Sequence, residues 1–246
     1  MMEGFIFSLQ FLTRIPINKE IEINKINLGR STFFFPYTGM IIGGISALMY
    51  SLGLYFGRDI GAMLGLLSLI FITGGLHIDG LSDTCDGFFS SRNRERILEI
   101  MKDSHSGTFG VIAVVLDIFI KYILLSKITG NPFACLMLSC GNARLVAVML
   151  MCFTKPARSS GMGVMFSDNL NKKYFYFGFI SYVVLTALLF NYKYLAMLLA
   201  ALVAAILTAS KSYKTIGGLT GDVYGASIEL CEMAGIAAFL GVSLWI

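Results

Sequence analysis

Charge is what this sequence has least of. Only 14% of its 246 residues are Asp, Glu, Lys or Arg, against about a quarter in ordinary soluble domains, while 56% are hydrophobic and the mean hydropathy is +0.75. Nineteen basic and 15 acidic side chains are too few to cover a water-soluble surface of this size. The same apolar excess excludes disorder, whose mark is low hydrophobicity. No clustered basic face exists, which excludes a nucleic-acid partner. Cys85, Cys135, Cys140, Cys152 and Cys231 lack metal-type spacing and are expected to be small buried hydrophobes. Residues 1–14 show neither a basic start nor a cleavage site, so no signal peptide is expected. Internal repeats and low-complexity tracts are absent as well. What is left is an integral membrane protein.

Stretches of about 20 apolar residues mark transmembrane helices. Residues 33–57, 60–78, 109–127, 132–153, 174–192, 194–209 and 223–246 qualify. They predict an all-α, polytopic helix bundle of about seven spans, with 1–246 forming a single membrane-embedded domain. Asp117 and Lys121 interrupt the third span, Arg144 the fourth, and Glu229 and Glu232 the last. Within an N-terminal segment 1–32, residues 4–12 predict a short apolar helix lying in the interface or packing on the bundle, ended by Ile15-Pro16. Gly39 with Gly43, and Gly57 with Gly61, fit close helix packing. Alternate connections carry four, four, four and two basic residues on one side of the membrane, and one each on the other. By the positive-inside rule the N-terminus and the long connections are cytoplasmic and the C-terminus is outside.

Three polar clusters fall on that cytoplasmic side. In the first, Asp79, Asp83 and Asp86 are spaced i, i+4, i+7, one face of a helix. Like charges so placed repel unless a cation neutralises them, and clustered hard oxygen ligands suit Mg²⁺. The alternative is a solvated loop with incidental acids. His77 has too few nitrogen or sulfur companions for a soft-metal site. In the second cluster, Lys102, Ser104, Thr108 and nearby glycines can present a charge, hydroxyls and backbone N–H groups to a phosphate, or simply cap the third span. The segment 83–108 is therefore expected to be a cytoplasmic active-site loop. The third runs from Gly217 through Thr220 and Asp222 to Glu229 and Glu232. Acids inside a span point to a site by default, and Arg144 is the available partner for one of them. Arg158, in the fourth-to-fifth connection, adds a cation for a lipid headgroup or a polyanionic substrate.

The run His77-x-Asp79-Gly80-Leu81-x-Asp83-Thr84-x-Asp86-Gly87 resembles the signature of the cobalamin synthase family, the adenosylcobinamide-GDP ribazoletransferases. The resemblance continues through Arg92, Arg94, Arg96 and Leu98 to Ser104, then Gly107-Thr108-x-Gly110. It recurs in Phe11-x-Thr13-Arg14-Ile15-Pro16, Phe35-Pro36-x-x-Gly39 and Gly217-Gly218-x-Thr220-Gly221-Asp222-x-x-Gly225-Ala226, nearly the whole chain in order. It departs at His105-Ser106, where a basic residue would be expected. The family likeness implies a multi-pass enzyme of a bacterial or archaeal inner membrane with its active site facing the cytoplasm. It implies that adenosylcobinamide-GDP is joined to α-ribazole or its 5′-phosphate, with release of GMP and with Mg²⁺ as cofactor. Asp79, Asp83 and Asp86 are then expected to hold the metal. Lys102, Ser104, Thr108, Arg144, Arg158 and Thr220 are expected to hold substrate and phosphate, and His77, Asp79, Asp222 and Glu229 to be catalytic. Partners are those substrates and the bilayer, with a homo-oligomer left open. Two other readings use similar residues. A CDP-alcohol phosphotransferase also binds a metal–diphosphate through membrane aspartates, but Leu81-Ser82-Asp83-Thr84 stands where its Asp-Gly-x-x-Ala-Arg pattern would continue. An ion-coupled transporter would use Asp117, Arg144, Glu229 and Glu232, and should show repeated halves.

Overall fold

The computed structural model describes residues 1–243, and helices account for most of them. Helix α1 (Met2–Leu12) packs along α2 (Lys25–Gly53), whose first turn is capped by the Asn24 side chain accepting from the Asn27 N–H. A short 3-10 turn leads into α3 (Arg58–Thr73). There Gly74 and Gly75, at φ 64° and 72°, take left-handed conformations that a Cβ would strain. The chain leaves this break as α4 (Leu76–Phe89), bent 87° from α3. Then come α5 (Arg94–Ile100), α6 (Thr108–Ser126), α7 (Pro132–Phe153), α8 (Met162–Asn169), α9 (Lys172–Leu189), α10 (Leu195–Ile216) and α11 (Gly221–Ser243).

Five of these, α2, α6, α7, α10 and α11, are long and apolar enough to cross a membrane, and α3 with α4 makes a sixth only as a bent pair. The stretch 60–78, expected as one span, is cut at the glycine pair because two consecutive left-handed residues cannot continue a right-handed helix. The stretch 174–192 corresponds to α9, which opens on Lys172 and Lys173. The spans expected from the sequence thus correspond to α2, α3, α6, α7, α9, α10 and α11, and the last runs on to residues 244–246, outside those described.

Helix α7 is the axis of the bundle. From Ala134 to Val148 it is buried almost without interruption, with α2, α10 and α11 packed around it. Gly39 and Gly43 of α2 face its backbone so closely that a Cβ at either would collide with a carbonyl of Cys140 or Leu136. Gly57 differs from the expected packing role: it faces open space and serves a turn at φ 122°. The outer faces of α6 and α10 expose Val111, Val115, Phe119, Leu199, Val203 and Leu207, an arrangement suited to lipid rather than water. No disulfide links the five cysteines, and Cys135, Cys140 and Cys231 are buried as expected.

The connections that carry most of the basic residues meet at one end of the bundle. Arg14 donates its N–H to Ile72 O at 2.7 Å, tying the N-terminal segment to the end of α3. Pro156 and Leu219 pair through a short parallel bridge, with Ala157 N donating to Leu219 O at 2.8 Å and Leu219 N donating to Lys155 O at 2.9 Å. Arg94 joins both connections, donating to Ile216 O at 2.7 Å and to Ala157 O at 3.1 Å.

Candidate active site

At this same end the fold forms a partly open cavity of about 230 Å³. His77, Asp79 and Gly80 of α4 line it, with Thr220 and Asp222 at the start of α11 and Arg158 from the α7–α8 connection. The crossing of α4 over α11 is what brings them together. Gly80 lies so close to α11 that a Cβ there would stand 2.7 Å from Asp222 O, and Gly225 answers it from the other helix against His77. Asp222 accepts from Arg158 Nη1 at 3.0 Å and from the Thr220 hydroxyl at 3.2 Å. Thr220 also accepts from Val223 N–H at 3.3 Å, so the α11 cap is a threonine and leaves Asp222 for other partners.

Asp83 is half-buried on the same face of α4. The carboxylates of Asp79, Asp222 and Asp86 all bear on it, and Arg158 is the counter-charge. Four acids against one guanidinium is a donor set that favours a further cation. Among the described residues, no three His, Cys, Asp or Glu side chains converge into a complete metal cage. Asp86 is placed differently from its neighbours. Its two oxygens accept from Gly107 N–H and Gly110 N–H, both at 2.7 Å, so it closes the start of α6 against α4.

A second group of charges lies deeper in the bundle. Lys121 of α6 is buried against Glu229 of α11, with Glu232 at 3.2 Å and Asp117 at 3.3 Å. Arg144 of α7, 1% exposed, is paired with Glu232, and its Nη2 stands 3.4 Å from His77 Nδ1. Glu229 and Arg144 therefore sit in this network and not on the cavity wall, and His77 touches both regions. Lys121 was not among the expected site residues, although Asp117 and Lys121 at i, i+4 in an apolar helix were a readable signal.

Lys102, Ser104 and Thr108 are exposed around the start of α6, off the cavity wall. In that loop His105 donates from its ring and its backbone N–H to Asp103, which holds the Asp103 carboxyl below its ordinary range. The cavity's apolar lining, unforeseen in the sequence, includes Phe11, Leu76 and Met162 from three separate helices, with Phe35 and Phe166 buried behind them.

A family model described as cobalamin-5-phosphate synthase matches residues 4–240. The chain belongs to that family. Curated relatives include an adenosylcobinamide-GDP ribazoletransferase of Clostridium novyi, 39% identical over 97% of this chain and 97% of its own length. One of Treponema denticola is 37% identical over 99% of this chain and its own full length, and one of Clostridium kluyveri is 35% identical over 95% of this chain and 94% of its own. No solved structure matches the chain. The cobalamin-5-phosphate synthase match covers every element that lines the cavity, from Phe11 to Ile228.

Proposed function

We infer that this membrane enzyme joins adenosylcobinamide-GDP to α-ribazole or its 5′-phosphate and releases GMP, the last assembly step of adenosylcobalamin. The observation that carries this reading is the juxtaposition of Asp79, Asp83 and Asp222 with Arg158 beside one cavity. In the reaction a ribose hydroxyl oxygen forms a bond to the phosphorus attached to cobinamide. The anhydride P–O bond breaks, GMP leaves with its electron pair, and the hydroxyl proton passes to a nearby base. Asp222 is placed to accept that proton, and its ion pair with Arg158 at 3.0 Å aims the carboxylate. Arg158 is the cation for the diphosphate charge that grows as GMP departs.

Mg²⁺ would be held by Asp79 and Asp83, with water and substrate phosphate oxygens completing its shell, and would neutralise charge on the diphosphate. Asp86 holds α6 in place for them through Gly107 and Gly110. The site faces the cytoplasm, on the strength of the basic connections gathered around it. Incubating purified protein with adenosylcobinamide-GDP and α-ribazole, with and without Mg²⁺, tests the whole reading. Cobalamin and GMP should appear in equal amounts and only with the metal. Transfer that survives chelation would remove the metal from the scheme, and the absence of any transfer would remove the function.

A further inference from the structure

The buried charges of the bundle meet the cavity at one side chain. Arg144 of α7, paired with Glu232 of α11, reaches past it to His77 in the first turn of α4, with its Nη2 3.4 Å from His77 Nδ1. A guanidinium carries only N–H donors and no lone pair, so in this contact the imidazole accepts. Arg144 is 1% exposed and its Nη1 is committed to Glu232, which leaves it no other direction to turn. With the Nδ1 lone pair facing Arg144, the ring proton of a neutral imidazole stands on Nε2. A second ring proton, on Nδ1, would set N–H against N–H and cation against cation in a buried place.

His77 is 3% exposed and lines the cavity. Its Nε2 has no hydrogen-bond partner among the described residues, yet it is not sealed off as the unpartnered Arg144 Nε and Thr84 Oγ1 are. The cavity is the opening left to it, and a narrow one is enough for a single N–H. Across the cavity Asp222 is engaged by Arg158 and Thr220, so the acceptor must come with the ligand. The diphosphate is the strongest acceptor that either substrate brings. Resting on the transferase reading above, we propose that His77 donates its Nε2–H to a diphosphate oxygen of adenosylcobinamide-GDP, and that Arg144, held by Glu232, is the positioning residue that fixes the tautomer. With Nε2 protonated and Nδ1 occupied, His77 does not take the proton of the attacking hydroxyl, and that role stays with Asp222. No proton leaves the ring. The hydrogen bond strengthens as charge grows on the diphosphate, on the same cavity as Arg158.

The chain has two histidines, His77 and the exposed His105, so His105→Gln leaves a single imidazole to observe. In that full-length protein in detergent, labelled with 15N-histidine, nitrogen NMR should show Nε2 protonated and Nδ1 bare. Adenosylcobinamide-GDP should shift the Nε2 resonance more than that of Nδ1. A protonated Nδ1, or a doubly protonated ring, overturns the proposal. Arg144→Met with Glu232→Gln removes the ion pair from both sides and should yield mixed tautomers; a pure Nε2–H form there overturns the positioning role. For kinetics, His77→Gln sets an amide N–H near the place of Nε2, whereas the shorter His77→Asn ends near that of Nδ1. The kcat/KM for adenosylcobinamide-GDP should fall at least about a hundredfold in His77→Asn, as when one donor to a developing oxyanion is lost. His77→Gln should recover at least about tenfold of that, with KM for α-ribazole within about twofold of wild type in both. Equal activity of the two variants at equal melting temperature overturns the donor. If the protein transfers nothing yet adenosylcobinamide-GDP shifts Nε2, the transferase reading falls and the donor stands. Normal turnover with an Nε2 resonance indifferent to adenosylcobinamide-GDP sinks the donor and spares the reaction.

Discussion

Asp222 shares its oxygens with the Arg158 guanidinium and the Thr220 hydroxyl, while Asp86, seven residues beyond Asp79, spends its own on two backbone N–H groups of α6. The two acids should therefore fail in opposite ways when neutralised. Asp222→Asn keeps shape and cap, so its melting temperature should stay near wild type while turnover falls by orders of magnitude. Wild-type turnover in that variant would end its role as base. Asp86→Ala strands two N–H donors at the head of α6 and should lower stability by roughly 1.5–3 kcal/mol, as expected for hydrogen bonds to a charged group. Thermal unfolding in detergent reads the difference, and an unshifted melt for Asp86→Ala would contradict the capping geometry.

Between helices, two contacts hold the site's frame. The network of Lys121, Glu229, Glu232 and Arg144 ties α6 and α7 to α11 within the apolar interior. Removing one member leaves a buried charge unpaired, so Arg144→Met should cost roughly 3–5 kcal/mol. Adding Glu232→Gln should recover part of this, whereas adding Glu229→Gln should not, because Glu229 pairs with Lys121. Equal behaviour of the two double variants in a melt would refute the pairing. The other contact is the crossing of α4 over α11. Gly80→Ala pushes a methyl into the Asp222 carbonyl and should separate the aspartates from Arg158, cutting turnover at least about tenfold through misplacement of the reacting groups. Gly44→Ala is the control, since its Cβ would meet only the flexible Met137 side chain, no nearer than 3.8 Å, and activity should hold.

For the molecule as a whole, membrane orientation is the property that connects the site to its substrates. Ser91, exposed at the end of α4, and Tyr55, 87% exposed beyond α2, lie at opposite ends of the bundle. In a background lacking the five native cysteines, a thiol at 91 should react with a membrane-impermeant reagent only after the cells are opened. A thiol at 55 should react in intact cells. The reverse pattern would turn the enzyme over and place the carboxylates outside.

The sequence by itself determined the membrane class, the helix bundle and the family, because hydropathy and motif order are local properties that survive without knowledge of contacts. It also determined that the aspartates share a helical face, since i, i+4, i+7 spacing settles that before any packing does. The bend after Thr73 was less legible: a glycine pair permits a left-handed turn, but only the meeting of α4 with α11 requires one. Which acid answers Arg144 was a tertiary decision, because Glu229 and Glu232 stand nearly one turn apart and only the placement of Lys121 on α6 separates their partners. The aromatic cluster beside the cavity was wholly beyond the sequence. Phe11, Phe35 and Phe166 are far apart in the chain, each looks like ordinary apolar filling, and only the packing of α1 and α8 on α2 brings the three rings into contact.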